Sequence, residues 1–333
     1  MKKKVFVGLS GGVDSATTAY LLSKDYSVTG VHIRNLETDN SMAAKTVAEQ
    51  LRIPFLVWDM REEFEKEIIS MFKNGLKQGI TPNPCVFCNE KIKFGRFFTE
   101  CLKEGADYIS TGHYARVEDG KLLRGKDDTK DQSYFLYRIR KEILNKTIFP
   151  LGEKTKKEVR IIAQKVGLKA AKSKESQDIC FIENSNIREF IRKNINENPG
   201  IIVDYDTKKE VGKHLGLQFY TLGQREGIKI GGTEKPYFVV DKDVEKNILF
   251  VGQGKDHTML WKKEIKISYE TWISEKPEIN KVYLCQIRYG QPPVTCKYYP
   301  EKVTLDELVY APTTGQSLVI YDGDEVVGGG IIT

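Results

Sequence analysis

The chain lacks any long apolar run. Nothing in its 333 residues approaches the ~20 consecutive apolar residues of a membrane-spanning helix. Met1-Lys2-Lys3-Lys4 imitates the start of a secretion signal, but the apolar stretch behind it is short and is broken by Gly11-Gly12. A cytoplasmic protein is therefore expected. No internal repeat or low-complexity segment is present. Two nucleotide-binding signatures are also missing, G-x-G-x-x-G and the lysine-bearing G-x-x-x-x-G-K-[ST]. The one C-x-x-C, Cys85 to Cys88, has no second pair of Cys or His at matching spacing, so a structural zinc site is not expected. Six cysteines in a cytosolic chain are unsuited to a disulfide framework and are read as ligands, nucleophiles or core.

What is present describes a globular protein. Apolar residues make up 40% of the chain and charged ones 29%, enough for a sizeable core, and the length suits two or three domains. A net charge of +6 is compatible with a polyanionic partner, although a lysine-rich solvated surface gives the same number.

The first informative stretch is KKKVFVGLSGGVDSATTAYLL. Val5, Phe6, Val7 and Leu9 form a β-prone run, and Ala16, Ala19, Leu21 and Leu22 recur at helical spacing. Ser10-Gly11-Gly12 is then a strand-to-helix turn. Adjacent glycines permit positive φ, so successive N–H groups can form a concave nest at a helix N-terminus. Its expected ligand is phosphate or pyrophosphate. Ser10-Gly11-Gly12-Val13-Asp14-Ser15 resembles the PP-loop of ATP pyrophosphatases, which implies cleavage of ATP between its α- and β-phosphates.

Further along, strands are expected at Ser27–Ile33, Phe55–Asp59 and Tyr108–Thr111, alternating with helices at Met42–Leu51, about Glu62–Phe72 and through Phe94–Leu102. Such alternation implies an α/β fold with a doubly wound parallel sheet and ligands at the carboxyl ends of its strands. A helix over Glu153–Leu168 is ended by Gly167. Beyond Asn186 short β-runs broken by Gly, Pro and Asp dominate, suggesting a small mixed module and then a barrel or sandwich. The expected division is 1–186, 187–257 and 258–333.

In TPNPCVFCNEKIKF (81–94), two prolines force a loop that presents Cys85 and Cys88 before a helix expected to open near Asn89. An ordinary thiol is only about 3% ionised at pH 7, so a neighbouring helix dipole would help a nucleophile. A third cysteine, Cys180, follows Ser176-Gln177-Asp178. Cys85, Cys88 and Cys180 could hold an iron–sulfur cluster with one open position. Cys101, Cys285 and Cys296 fall on apolar faces and read as core.

SGGVDS, TPNPCVFCNEKIKF, STGHYAR, KDQSYFLY, FPLGEKTKKEVR, KESQDICFI, YTLGQREG, IRY and APTTGQSLVIYDGDEVVGGGII occur in this order over nearly the whole chain. Together they resemble the tRNA-specific 2-thiouridylase (MnmA) family. The resemblance implies a Rossmann-like PP-loop domain, a small central domain and a C-terminal β-barrel. The implied reaction is ATP- and Mg²⁺-dependent thiolation of the wobble uridine of tRNA, with Lys, Glu and Gln tRNAs as substrates. A sulfur-relay protein or cysteine desulfurase is the implied donor, and a monomer the expected state.

By the same resemblance Gly8, Leu9, Ser10, Gly11, Gly12, Val13, Asp14, Ser15, Ile33 and Gly112 hold ATP, with Asp14 ordering Mg²⁺. Cys180 carries a persulfide and Cys88 resolves it, by disulfide formation or other sulfur release. Asn83, Pro84 and Cys85 line the target base; His113, Lys130, Asp131, Gln132, Arg288, Tyr289 and Gln316 contact tRNA. For His113 a structural hydrogen bond or an acid–base role stands beside this. KDQSYFLY also reads simply as the start of an amphipathic helix capped by Asp131, with Tyr134, Phe135 and Tyr137 packed inward.

Two features depart from the family pattern. Many relatives carry Asp where Cys85 stands, which leaves a [4Fe-4S] route on Cys85, Cys88 and Cys180 open beside the persulfide route. The stretch between Asn35 and Ala43 is also short, leaving its role in tRNA contact open. A different PP-loop ligase that adenylates its substrate is the remaining alternative.

Overall fold

The computed structural model describes residues 2–38, 41–172, 179–182, 186–232 and 234–333. Its N-terminal sheet contains β1 (Lys4–Gly8), β2 (Ser27–Arg34), β3 (Phe55–Asp59), β4 (Tyr108–Ser110) and β7 (Thr147–Ile148). The order is β3-β2-β1-β4-β7 and every pairing is parallel. β1 is central, which explains why its residues read as an unbroken apolar run. Val5 and Val7 pack into one core with helices α1 (Val13–Ser23) and α2 (Ser41–Leu51), while Phe6 packs into another. That second core receives a helix over 61–77 and another over 84–103. The strand order reverses between β1 and β4, which puts the topological switch point at their carboxyl ends.

Several local expectations needed adjustment. The helix containing Cys88 opens at Pro84 rather than near Asn89. Proline suits the first helical position because its missing N–H would be unpaired there anyway and its φ is already set. The helices over 61–77 and 84–103 each contain a π-wound stretch, Glu65–Ile69 and Cys88–Arg96, which apolar spacing does not reveal. The helix near Thr155 is shorter than expected, Lys156–Lys165, because Thr155 and Glu158 form a reciprocal capping box. Gly167 follows it at φ +73°. KDQSYFLY does not begin a long helix; it makes a single 3₁₀ turn, Ser133–Phe135.

β5 (Ala115–Glu118) and β6 (Lys121–Arg124) form a hairpin that leaves the N-terminal sheet. The central sheet has β8 (Gly200–Asp204), β9 (Glu210–His214), β10 (Tyr237–Asp243) and β11 (Ile248–Gln253), ordered β10-β11-β8-β9. Ile202, Val239, Leu249 and Val251 share a core with Phe72, Leu76, Ile182 and Ile191. The C-terminal strands are β12 (Trp261–Trp272), β13 (Val282–Gln286), β14 (Val294–Tyr299), β15 (Lys302–Tyr310), β16 (Ser317–Asp322) and β17 (Glu325–Ile332). Their order β12-β15-β14-β13-β16-β17, closed by a β12–β17 pairing, makes a six-stranded antiparallel barrel. The β5–β6 hairpin attaches to this barrel through Leu123 opposite Glu325. Among the described residues no helix is long and apolar enough to cross a membrane.

Candidate active site: a phosphate cradle beside three thiols

The loop after β1 is shaped by close approaches. Gly11 sits at φ +82°, and a side chain there would strike Ala43. The Ser10 and Ser15 hydroxyls lie 3.2 Å apart, and Ser15 Oγ donates to the Gly12 carbonyl at 3.1 Å. Gly12 is the extended N-cap of α1 and brings no side chain to its first-turn amides, which leaves those donors for an anion. Gly112, just past β4, closes the other wall: a Cβ there would come within 2.9 Å of the Ser15 amide nitrogen. Ile33 is half-buried two residues beyond Val31, the β2 partner of Gly8. The sequence-predicted residues from Gly8 to Ser15, with Ile33 and Gly112, thus gather at the carboxyl ends of β1, β2 and β4.

Asp14 stands in the first turn of α1 with its side chain about one-third exposed (33%). The Lys156 ammonium is 2.7 Å from each of its oxygens, and the Tyr114 hydroxyl donates to Oδ1 at 2.8 Å. Lys156 also lies over the Tyr114 ring, 5.6 Å from its centroid. Sequence reading missed Lys156 and Tyr114. Their signal was present, since FPLGEKTKKEVR and STGHYAR were both singled out, but no local rule links positions 142 residues apart. A carboxylate at the mouth of a phosphate cradle is a hard oxygen donor of the kind Mg²⁺ takes, so Asp14 fits that ion once Lys156 turns aside.

Cys85, Cys88 and Cys180 come together although Cys180 is far away in sequence. Each of Cys85 and Cys88 lies close enough to Cys180 to feel its charge. All six cysteines are free thiols. Burial pushes the Cys85 thiol up to about 11 and the more deeply enclosed Cys88 thiol up to about 12. Cys180 is solvent-exposed by area, yet its surroundings still desolvate the sulfur enough to raise it. Phe181 anchors Cys180, meeting Phe64 and Phe72 edge-on with ring centroids 5.9 and 5.6 Å apart. Ser176, Gln177 and Asp178 of the SQDIC motif lie outside the described residues, as do Asp39 and Asn40 of the shortened loop. Cys101, Cys285 and Cys296 are fully buried in cores, as expected.

Among the described residues, no three of His, Cys, Asp or Glu are grouped as a metal ion requires. The three thiols are therefore not arranged as cluster ligands here.

A short chain of contacts joins the thiols to the cradle. The residue after Gly112 is His113, which packs against Phe94 and Phe149 with centroids 5.9 and 6.0 Å away. Its Nδ1 is 2.7 Å from Thr111 Oγ1. Burial holds its pKa well below the usual range, with the Lys93 charge adding to the effect, so the ring is neutral. The hydrogen-bonded structural role is the one this geometry fits. A cationic tRNA contact by His113 is not supported, because the side chain is buried and uncharged.

The remaining expected tRNA residues form a second group. Asn83 and Pro84 are buried, and the Asn83 side chain approaches the Tyr134 hydroxyl, which itself donates to Ser317 O at 2.8 Å. Gln316 Nε2 donates to Thr81 O at 2.7 Å, and Thr81 N donates to Thr314 O at 3.0 Å. The Lys242 ammonium donates to Gly79 O at 2.8 Å. The loop before Cys85 is therefore gripped by both the barrel and the central sheet. Arg288 holds Thr313 Oγ1 at 2.9 Å, and Tyr289 is 41% exposed above Phe135, with centroids 4.4 Å apart. Asp131 is spent internally on the amides of Gly125 and Ser133 and on Arg124. Gln132 accepts from the Tyr114 amide at 3.0 Å, whereas Lys130 is half-buried beside it. Tyr134 and Tyr137 pack inward.

Comparison with known proteins gives three consecutive domain matches. Residues 3–184 match the tRNA methyl transferase HUP domain, 188–253 the tRNA methyl transferase PRC-barrel domain, and 262–332 the aminomethyltransferase beta-barrel domain. The tRNA-specific 2-thiouridylase MnmA of Chlamydia abortus is 40% identical over 100% of this chain and 98% of its own length. Those of Nitrosomonas europaea and Alkaliphilus oremlandii are each 41% identical over 99% of this chain, covering 98% and 96% of their own. With its cradle, its converging thiols and this likeness end to end, the chain belongs to the tRNA-specific 2-thiouridylase MnmA family.

Proposed function

We propose that the protein uses ATP to replace the C2 oxygen of the tRNA wobble uridine with sulfur, releasing AMP and pyrophosphate. The observation that carries this reading is that Cys88 lies close enough to Cys180 to feel its charge, with Lys93 acting on both thiols and on His113 beside the cradle wall at Gly112. The domain matches are described in terms of methyl transfer, but converging thiols suit the sulfur chemistry of the curated relatives.

A uridine C2 oxygen is a poor leaving group, and joining it to AMP makes it a good one. The first-turn amides of α1 would bind the departing pyrophosphate, stabilising charge that develops in the transition state. Lys156, released from Asp14, is placed to meet a phosphate. Mg²⁺ held at Asp14 would supply neutralisation of the polyphosphate.

Sulfur transfer then falls to the thiols. The terminal sulfur of a Cys180 persulfide forms a bond to C2 and the C2–O bond to AMP breaks. The Cys88 thiolate attacks the Cys180 Sγ, forming a Cys88–Cys180 disulfide. The S–S electron pair leaves with the transferred sulfur to give the thiocarbonyl, and an external dithiol reduces the disulfide for the next round. Asn83, Pro84 and Cys85 would receive the base, which must leave its stack to reach them. Tyr289 above Phe135 offers an exposed ring for stacking.

The test is incubation with ATP, Mg²⁺, a persulfide donor and unmodified tRNA, followed by digestion of the RNA. Appearance of 2-thiouridine, with AMP and pyrophosphate, is expected. Its absence with a fully loaded Cys180 persulfide would overturn the reading.

A further inference from the structure

The thiols have a partner that the reading above does not use. Lys93 lies on the π-wound stretch Cys88–Arg96, five residues after Cys88. In a helix wound i to i+5 a turn takes between four and five residues, so Cys88 and Lys93, five apart, lie on the same side of it. The same ammonium acts on Cys85, one turn earlier, on Cys180 from a distant segment, and on His113. It therefore sits where the thiols meet the cradle wall.

Lys93 is half-buried, and among the described residues no carboxylate stands within ion-pair distance of it. Of the acids on its own helix, Glu90 is taken by Arg138 at 2.9 Å and Glu100 by Arg96 and Lys103 at 3.0 and 2.9 Å. Leaving a half-buried ammonium without a carboxylate is unfavourable unless another anion occupies the place. The groups gathered around it are three sulfurs and a neutral imidazole, and the sulfurs alone can become anionic.

We propose that Lys93 is the counter-ion of the sulfur relay, pairing first with the perthiolate on Cys180 and then with the thiolate on Cys88. This inference rests on the sulfur-transfer reading above. A lysine is suited to the task because its compact charge rides on a flexible four-carbon stem and can follow an anion from one sulfur to the next. The need is acute at Cys88. Burial and the neighbouring Cys180 and Cys85 all oppose its ionisation, and Lys93 alone among the groups acting on it favours the thiolate. At Cys180, Lys93 acts in the same sense, alongside a backbone hydrogen bond.

The test measures iodoacetamide alkylation of Cys88 and Cys180 as a function of pH, read peptide by peptide by mass spectrometry. Wild type, Lys93→Gln, Lys93→Met and Lys93→Arg are compared. Well below its raised pKa of about 12, where Cys88 is almost wholly a thiol, neutral replacements should slow its alkylation about tenfold at a fixed pH, the effect of one pH unit on the thiolate fraction. Lys93→Arg should restore most of the rate. Far-ultraviolet circular dichroism and thermal unfolding report whether each variant is folded; should Gln fail this check, Met and Arg still provide the comparison. Unchanged Cys88 alkylation rates in a folded neutral variant, or equal losses in Arg and Gln, would overturn the proposal. Neither readout needs tRNA or a sulfur donor, so this failure is distinct from a failure to form 2-thiouridine.

Discussion

Lys156 places its ammonium 2.7 Å from both carboxylate oxygens of Asp14, across 142 residues of sequence. Tyr114 donates to the same carboxylate, so the charges at the mouth of the cradle are paired with one another. Replacing Lys156 with Met should cut ATP-dependent pyrophosphate release about 100-fold, the usual cost of losing one charge-stabilising donor. Asp14→Ala should lower it at least as much, and the double variant should lose less than the product of the two, because the residues act as a unit. Steady-state pyrophosphate assays on the four proteins check this; strict multiplicativity would refute the coupling.

Cysteine variants should separate the two halves of the reaction. Cys88→Ser and Cys180→Ser should abolish 2-thiouridine while leaving pyrophosphate release within a few-fold of wild type. Cys85→Asp should remain active, because the persulfide route uses only the Cys88 and Cys180 sulfurs. A dead Cys85→Asp enzyme, together with iron and visible absorbance in anaerobically purified wild type, would favour the cluster route instead.

The bond from Gln316 to Thr81 gives a third expectation. Gln316→Ala should cost about 1 kcal/mol of stability, the net value of one hydrogen bond, measured by urea unfolding. It should also slow thiolation more than pyrophosphate release, since Thr81 leads directly into the Asn83–Cys88 segment. Equal effects on both steps would show that the bond does not position that segment.

Lys242 sets a pH signature. Burial lowers its pKa from 10.5 to about 8 while it donates to Gly79 O. Between pH 8 and 10.5 the unfolded chain holds a proton that the folded protein has lost, so this lysine makes stability rise with pH across that window. Thermal unfolding of wild type and Lys242→Met should show the difference shifting in favour of wild type from pH 8 to 10.5, and flat below. A difference that stays constant through the window would contradict the burial of this amine.

The parts of the molecule that were legible in the sequence are those fixed by neighbours along the chain. The run Val5–Leu9, the double glycine and the spacing of Ala16 and Ala19 specify strand, turn and helix locally. The alternation of apolar strands with helices then specifies the parallel sheet and the position of the site. The π winding after Cys88 was not legible, because one extra residue per turn leaves apolar spacing almost unchanged; its trace is Gly95, where a Cβ would come within 2.8 Å of Glu90 O. The β5–β6 hairpin was missed for a different reason. Its attachment joins Leu123 to Glu325, and short edge pairings of that range leave no periodic mark. The partners of Asp14 and the distance of Lys93 from every described carboxylate were likewise invisible, since lysine occurs throughout this chain and only the fold selects which ones matter.

The grip on Gly79 and Thr81 bears on how relatives could be recombined. A graft that exchanges the barrel alone would separate Gln316 and Thr314 from the backbone they were fitted to, and the thiol-bearing helix would begin from a slack tether. Such hybrids should work only when residues 80–83 travel with the barrel that holds them, which makes this short stretch, although embedded in the first domain, a heritable part of the last.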